Sequence, residues 1–490
     1  MPESDFAVVE VEGQALTKWS DYEISSDLTS PVDTFELTVP MAGTLADRKE
    51  LMRLLIPGRP VKVYVGRGAA RSLQMTGLVT MRDVSADRNG TRMTIHGQDM
   101  GQHLVRSHSD PRLGVIASAA RTIDVKADTF QFTRNPYGGY TDESNVFGAI
   151  GQPKGSKLRA PSKYDLSSVR VVDQIKIAAQ GKSFPEVLRQ LLDPWGIDVV
   201  TDGTAARDLL SGKAKKGERN RINQERARNL GIPLNSFSRD VESRARSAGK
   251  PLDDVLGVET TDNSRQRFAN GMVSSDIERI TIKEAKPAFG ESIWDYIERQ
   301  AKRFGLLAWM SPDGKLILSA PNYGSAPLFR IVRRLRENPD DPNTVIKARL
   351  REEVGDRVSH VMVYGRHGGR NPERSKYKAT AVDPDLGIYR PEYVSDQEIR
   401  SDEEALRRAR NIISFKRANA FEYDVTMPDH GQGNYLYSVD QMARVEDEVL
   451  GVSGDYYVVA RTFLKTRGQN VSSLATVTRL RLAPIGIFAV

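Results

Sequence analysis

The sequence predicts a multidomain α+β protein, mainly antiparallel β, in which β-barrel-like end domains flank small helix–strand modules. Three observations predict it. The chain has 490 residues, about three times a typical domain of roughly 150. Apolar residues alternate with period two near both ends. Between them, two helices with strong N-terminal caps each lead into a short apolar strand. The expected plan is a β-barrel-like domain over 1–105, a loop-rich insertion over 106–180, α/β modules over 181–330 with a basic insertion at about 204–275, and a β-rich domain over 331–490.

The first hundred residues carry the β signal. Thr34 to Val39 alternates and stops at Pro40. Val61, Val63 and Val65 alternate with Lys62 and Tyr64, and Gly66-Arg67-Gly68 follows as a turn. Leu78 to Val84 and Thr91 to His96 flank Asp87-Arg88-Asn89-Gly90, where Asn-Gly tolerates positive φ, a hairpin signal. From Arg106 to Gln180 the pattern blurs, and Asn135-Pro136-Tyr137-Gly138-Gly139 is turn material.

A helix then opens at Ser183-Phe184-Pro185-Glu186. Ser caps, Pro is pre-set for the first turn, and Glu reaches back to the free N–H. Val187, Leu188, Leu191 and Leu192 form its apolar face; Pro194-Trp195-Gly196 ends it, and Ile197 to Val200 reads as a strand. The plan recurs at Ser292-Ile293-Trp294-Asp295, with the stripe Ile293, Ile297, Ala301 and Phe304 and a stop at Gly305. Leu306 to Met310, the turn Ser311-Pro312-Asp313-Gly314 and Lys315 to Ser319 complete a hairpin. Cap and glycine are 13 residues apart in both copies, which suggests a duplication.

Between the copies lies a basic segment. Residues 206–250 hold 12 Lys/Arg and 5 Asp/Glu, and the rest of the chain holds 59 of each sign. The whole excess of +7 therefore sits here, in a stretch too poor in apolar residues to order itself, with a short helix expected over Gly217 to Leu230. The last third returns to β. Val358 to Tyr364 alternates, a polar loop runs from Gly365 to Lys376, and Ser401-Asp402-Glu403-Glu404 opens a helix by a capping box. Arg407, Arg408 and Arg410 are read as its end, where the helix dipole favours cations. Phe421 to Met427, Tyr456 to Phe463 and Leu474 to Leu482 read as strands.

Catalytic chemistry finds little support. With no cysteine, disulfides and thiolate sites are excluded. Gly181-Lys182-Ser183 ends like a phosphate loop, but Lys176 stands where its first Gly is required, and Ser183 is better used as a cap. His96, His103, His108, His360, His367 and His430 follow no zinc spacing. Asp383-Pro384-Asp385-Leu386-Gly387 hints at a calcium loop, but Val394 occupies the bidentate Glu position, so a Pro-Asp turn is expected. No cofactor, metal or catalytic residue is assigned. Paired carboxylates such as Glu403 and Glu404 leave a peptidoglycan or glycan hydrolase as one alternative. Lys213, Lys215, Lys216, Arg219, Arg221, Arg226 and Arg228 are candidate contacts for an acidic partner and leave a nucleic-acid-binding module as another. Few aromatics are interleaved there, so a single-strand stacking platform is missing. No run of 18 apolar residues could span a membrane, and the acidic N-terminus lacks a signal peptide, so a soluble, cytosolically made protein is expected.

The order of these modules resembles the baseplate hub proteins of Mu-like contractile-tailed bacteriophages, the late control D family. The resemblance rests on Gly290-Glu291-Ser292-Ile293-Trp294-Asp295-Tyr296-Ile297-Glu298-Arg299 with Ala301, Gly305 and the Asp313-Gly314 hairpin. The strands from Trp19 to Val39, Gly77-Leu78-Val79, Thr94 to Asp99, the Ser401 helix and the strands near Phe421 and Tyr456 also fit, about two thirds of the chain in all. The stretches 106–180 and 204–275 are longer than such hubs carry. The resemblance implies a non-enzymatic virion protein of the tail baseplate, assembled in the host cytoplasm. It implies a homotrimer with two tube-like β domains per chain, joining a six-fold tail tube to a three-fold central spike. Its implied partners are the spike and tail tube proteins, with baseplate wedge and tape-measure proteins, and genomic DNA passes through the channel at ejection.

Overall fold

In the computed structural model, the structure describes residues 5–41, 44–67, 70–88, 90–108, 120–122, 170–172, 183–201, 224, 227, 233–248, 277–280, 287, 290–365, 375–396, 399, 401–467 and 474–488. The N-terminal region holds strands β1 (Asp5–Val11), β2 (Gln14–Leu16), β3 (Asp21–Asp27) and β4 (Thr34–Pro40), then helix α1 (Leu45–Leu54). Strands β5 (Pro60–Arg67), β6 (Ala70–Asp87) and β7 (Gly90–Asp99) and helix α2 (Gly101–Arg106) follow. The alternation at Val61, Val63 and Val65 turns all three into the core. The β6–β7 hairpin turns between Asp87 and Gly90, whose φ of +133° only glycine adopts without strain. Helix α1 carries a full capping box, Thr44 with Asp47.

Strands β8 (Ala120–Thr122) and β9 (Arg170–Val172) form an antiparallel pair inside the expected loop-rich insertion. The central module holds α3 (Phe184–Leu192), β10 (Val199–Val200), α4 (Leu234–Ala248), α5 (Ile293–Arg303), β11 (Leu307–Met310) and β12 (Leu316–Ser319). Both expected caps are made. Ser183 Oγ accepts from Glu186 N–H while Ser183 N–H donates to Glu186 Oε2 at 2.8 Å. Ser292 Oγ accepts from Asp295 N–H at 3.0 Å. Gly196 (φ +64°) and Gly305 (φ +71°) end the two copies in left-handed conformation. The copies share one core and one sheet. Val187, Leu188 and Leu191 of α3 lie in one cluster with Trp294, Ile297 and Ala301 of α5, and β10 pairs parallel to β12, which pairs antiparallel to β11. The strand expected over Ile197 to Val200 is only the two residues of β10.

The remainder comprises β13 (Phe329–Arg333), β14 (Lys347–Glu352), β15 (His360–Tyr364), β16 (Lys378–Val382), β17 (Pro391–Ser395) and α6 (Asp402–Asn419). Then come β18 (Phe421–Pro428), β19 (Gly431–Gln432), β20 (Tyr435–Leu436), β21 (Met442–Asp447), β22 (Val452–Arg467) and β23 (Leu474–Pro484). The Ser401 cap is made to Glu404 N–H at 3.1 Å. The helix end expected at Arg407 to Arg410 is mid-helix: α6 runs on to Asn419, and Lys416 and Arg417 fill its last turn. Tertiary contacts carry it further. Ile413 is buried, and Asn411 donates to Lys302 O and Arg303 O at 3.0 and 3.1 Å, capping the C-terminus of α5.

The two ends of the chain build one large sheet of 13 strands, with the path β14-β18-β23-β22-β3-β4-β7-β6-β5-β1-β2 and β13-β21 joined to β22. The mainly antiparallel α+β class is as expected. Among the described residues no pairing joins the two ends of the path into a closed barrel. Instead the sheet curls over one core, in which Val9, Phe35 and Val63 share a cluster with Phe329, Tyr423 and Phe463. A separate unit stands on it: β16-β15-β17, with α6 covering one face through Val361, Val363, Ala405, Ala409 and Ile413.

Candidate assembly interface

The pairings contain an internal repeat. In the N-terminal region the order is β1-β5-β6-β7-β4-β3; in the C-terminal region it is β13-β21-β22-β23-β18-β14. The members also follow one another identically along the chain. The pairing within each long hairpin is interrupted once by a β-bulge on its first strand, at Thr80 where β6 meets β7 and at Val459 where β22 meets β23. Counting from the bulges aligns two rungs: Val79–Gly97–Phe35–Ile24 and Val458–Leu482–Tyr423–Leu350. The unit of 357–419 is inserted between β14 and β18 of the second repeat.

The repeats meet at a seam where β22 (Ala460 to Lys465) pairs antiparallel with β3 (Asp27 to Tyr22). Arg461 is 1% exposed there, the largest fully buried side chain described. Its guanidinium stacks 4.0 Å over the Phe463 ring and donates to Gln74 Oε1 at 2.5 Å. Gln74 reaches it because a second bulge of β6 falls at that residue, opposite Val63 and Tyr64, and bulges re-aim side chains. Arg461 Nε has no partner among the described residues. Burial lowers the guanidinium pKa to about 10, opposed by the nearby Asp33 charge. Asp33 N–H donates to Asp99 Oδ2 at 3.1 Å, and Gly101 N–H to Asp99 Oδ1 at 2.8 Å. Burial pushes Asp33 up to about 6 against hydrogen bonds from Ser26 and Asp27 and the Arg461 charge. Burial and then the Asp33 charge hold Asp99 well above the usual carboxylate range.

A second cross-core contact centres on His430, which is fully buried. Its Nε2 lies 2.8 Å from Tyr22 Oη, its Nδ1 lies 3.2 Å from Thr478 Oγ1, and its backbone N–H donates to Asp5 Oδ2 at 2.5 Å. The residues tie β1 and β3 to β23, a structural use of histidine. His96 stands 3.4 Å from Glu36, and His360 Nδ1 lies 2.8 Å from Ser359 Oγ. The Pro-Asp turn is held by cations: Asp383, buried, pairs with Arg357 at 2.7 Å and accepts from Asp385 N–H, and Arg417 pairs with Asp385. Among the described residues no group of three or more His, Cys, Asp or Glu is placed to hold a metal. A pocket of about 280 Å³ holds Thr29, Phe421, Glu422 and Phe488, and its Arg481 donates to Asp27 at 2.6 and 2.7 Å.

The sequence-assigned contacts Lys213, Lys215, Lys216, Arg219, Arg221, Arg226 and Arg228 lie outside the described residues. Within the helix expected there, Gln224 and Ala227 are helical. The sequence missed the seam, because its residues are 430 or more positions apart and each looks ordinary alone. It also missed a bare apolar face on the inserted unit. Val382, Tyr389 and Tyr393 are 56%, 77% and 62% exposed, on the side of β16-β15-β17 away from α6. No helix among the described residues is long and apolar enough to cross a membrane.

Comparison with known proteins bears on both regions. A family model described as Mu phage baseplate assembly protein GpP-like, N-terminal, matches residues 7–99, the first repeat. One described as tail protein NMB1110-like, third domain, matches residues 357–413, the inserted unit. A solved tail protein from Neisseria meningitidis MC58 has the same fold, with a TM-score of 0.57 at 16% identity, over 99% of this chain and 98% of that one. The 43 kDa tail protein of prophage MuSo2 from Shewanella oneidensis aligns with a TM-score of 0.52 at 14% identity, over 98% of each chain. Among curated proteins none matches the sequence. The family matches fall on the units that the strand pairings separate, and they bear out the resemblance read from the sequence: this is a baseplate protein of the Mu-like phage type.

Proposed function

We propose that the chain is the structural hub of a contractile-tail baseplate. Three copies form a ring that adapts a six-fold tail tube to a three-fold central spike and lines part of the channel for DNA ejection. The observation that carries this reading is the internal repeat: two six-stranded units of one strand order in one chain, so that three chains present six similar units. The role is mechanical rather than enzymatic. Its setting is the virion tail, after assembly in the host cytoplasm. Its partners are the tail tube and spike proteins, with wedge and tape-measure proteins at the periphery. In the domain plan 1–105, 106–180, 181–330 and 331–490, the first and last spans are the ring-forming regions, and the last also carries the inserted unit of 357–419. The basic residues from Lys213 to Arg228 face an acidic partner.

The test is mass determination and negative-stain imaging of the purified full chain, alone and with the spike gene product. The expected result is a three-chain species with six lobes around an opening, one face of which takes the spike. A monomer that ignores the spike would overturn the reading.

A further inference from the structure

Resting on the ring reading, the repeat also specifies how one copy joins the next. In the second repeat, β22 uses one edge twice: Val452 to Tyr457 pair with β21, and Ala460 to Lys465 pair with β3. In the first repeat, β6 pairs with β5 only over Ala70 to Leu78. Beyond its bulge, Met81 to Ala86 meet no strand on that edge among the described residues. At the other end of the path, β14 is the counterpart of β3, and its outer edge likewise meets no strand among the described residues. The exposures differ as this predicts. Phe463 of β22 is fully buried under β3, while its counterpart Val84 is 38% exposed and Met81 48%.

We infer that β6 of one copy (Arg82 to Ala86) pairs antiparallel with β14 of a second copy (Ala348 to Glu352), repeating the β22–β3 seam between chains. The register follows from the rungs. Phe463 lies five residues past Val458 and faces Ile24. Val84 lies five residues past Val79 and therefore faces Leu350, the counterpart of Ile24. Arg82 then faces Glu352, Asp83 faces Arg351, and Ala86 faces Ala348. Two opposite-charge pairs and two apolar pairs result, the favourable combinations for directly opposed strands. A second copy binding β14 to β14 would instead oppose Lys347, Arg349 and Arg351 with their own kind. Like charges on a strand edge block such self-pairing. The contact is therefore head to tail, which excludes a two-fold dimer and gives a ring where the rotation closes, as the hub reading requires. Within its own chain, Arg351 pairs with Glu353 at 2.5 Å and lies 3.8 Å from Glu422, which stands opposite it on the inner neighbour β18; the Arg351 side chain is 54% exposed and open to a further partner.

The chain has no cysteine, so engineered thiols report cleanly. Opposed strand residues sit at a spacing that a disulfide spans. The full chain would be made with Val84→Cys, with Leu350→Cys, and with both, then oxidised under assembly conditions. Mixed single variants should give covalent dimers. Each single variant alone should give none, and the double variant closed covalent trimers. Val84→Cys mixed with Lys347→Cys, off register, should stay uncrosslinked. Separately, Asp83→Arg and Arg351→Asp should each weaken association of the chain by about five- to tenfold, and the double reversal should restore it. Assemblies of native mass without the Val84–Leu350 cross-link, or without rescue by the double reversal, would overturn this junction and leave the ring standing. An unmodified chain that stays monomeric with and without the spike would remove both.

Discussion

The two repeats have one strand order and unequal circumstances. In the second, the bulged strand β22 is covered on one edge over Val452 to Tyr457 by β21 and over Ala460 to Lys465 by β3. In the first, the matching half of β6 meets no strand on that edge among the described residues, and its Arg82 donates to Met52 O of α1. Side chains follow these neighbours. The first repeat seats Phe35 on Gly97, where the second opposes Tyr423 to Leu482. The outermost strands differ too: β1 runs antiparallel to β5, and β13 runs parallel to β21. Strand order is thus common to both units, with the outermost strand reversed in direction, while residue size and polarity track whether an edge is filled within the chain.

The sharpest way to break this comparison is to truncate counterparts. Phe463→Ala should lower the unfolding free energy by about 3–5 kcal/mol, and Val84→Ala in the single chain by under about 0.5 kcal/mol, read by urea unfolding. Equal losses would mean the two strands are equally covered. Next comes the buried cation. Gln74→Leu should cost about 2–4 kcal/mol because it strands the Arg461 charge. Adding Arg461→Met should recover most of that loss, and a double-mutant cycle measures the coupling. Purely additive costs would show that the contact carries no energy.

Gly97→Ala ranks third, at about 1–3 kcal/mol. Its Cβ would overlap the Phe35 ring and stand 2.7 Å from Leu78 O, so the ring must leave its seat. Unchanged stability would contradict the tight Phe35–Gly97 contact. The smallest effect is a pH dependence. Asp33 titrates near 6 in the folded chain, above its value of 3.8 when free, so the native state holds the extra proton between those values. Stability should therefore fall as pH rises from about 4 to about 6 and level off above. Discounted for its partial exposure, that is about 1–2 kcal/mol. Asp33→Asn should flatten this component of the profile. A profile that keeps its slope in the variant would assign the titration elsewhere.

Local signals were legible in the sequence, because caps and turns satisfy their own backbone. Ser183, Ser292, Gly196, Gly305 and the Asp87–Gly90 hairpin all stand where spacing alone placed them. The strands β1, β13, β14 and β21 were not assigned, since their partners lie far along the chain and pairing rather than composition defines them. The end of α6 differs for the same kind of reason: Arg407, Arg408 and Arg410 read as a cationic last turn, while the Asn411 amide meets two carbonyls of α5 and the helix runs on to Asn419. The candidate interface was legible only as a resemblance. Its basic residues lie outside the described structure, and the seam that organises it depends on Arg461 meeting a bulge at Gln74, 387 residues away.

The placement of the inserted unit has a mechanical consequence. Its two ends leave the sheet side by side, at Glu352 and Phe421, which are themselves a paired rung of β14 and β18. A load pulling the unit outward would open that ladder one rung at a time toward Lys347 and Thr426, the compliant direction for antiparallel strands. Arg303–Asp396 at 3.0 Å and the Asn411 amide bridge the unit to α5 instead, and so share the load before the ladder bears it. A pull on the bare tyrosine face is thus delivered first to the central helices and only afterwards to the sheet.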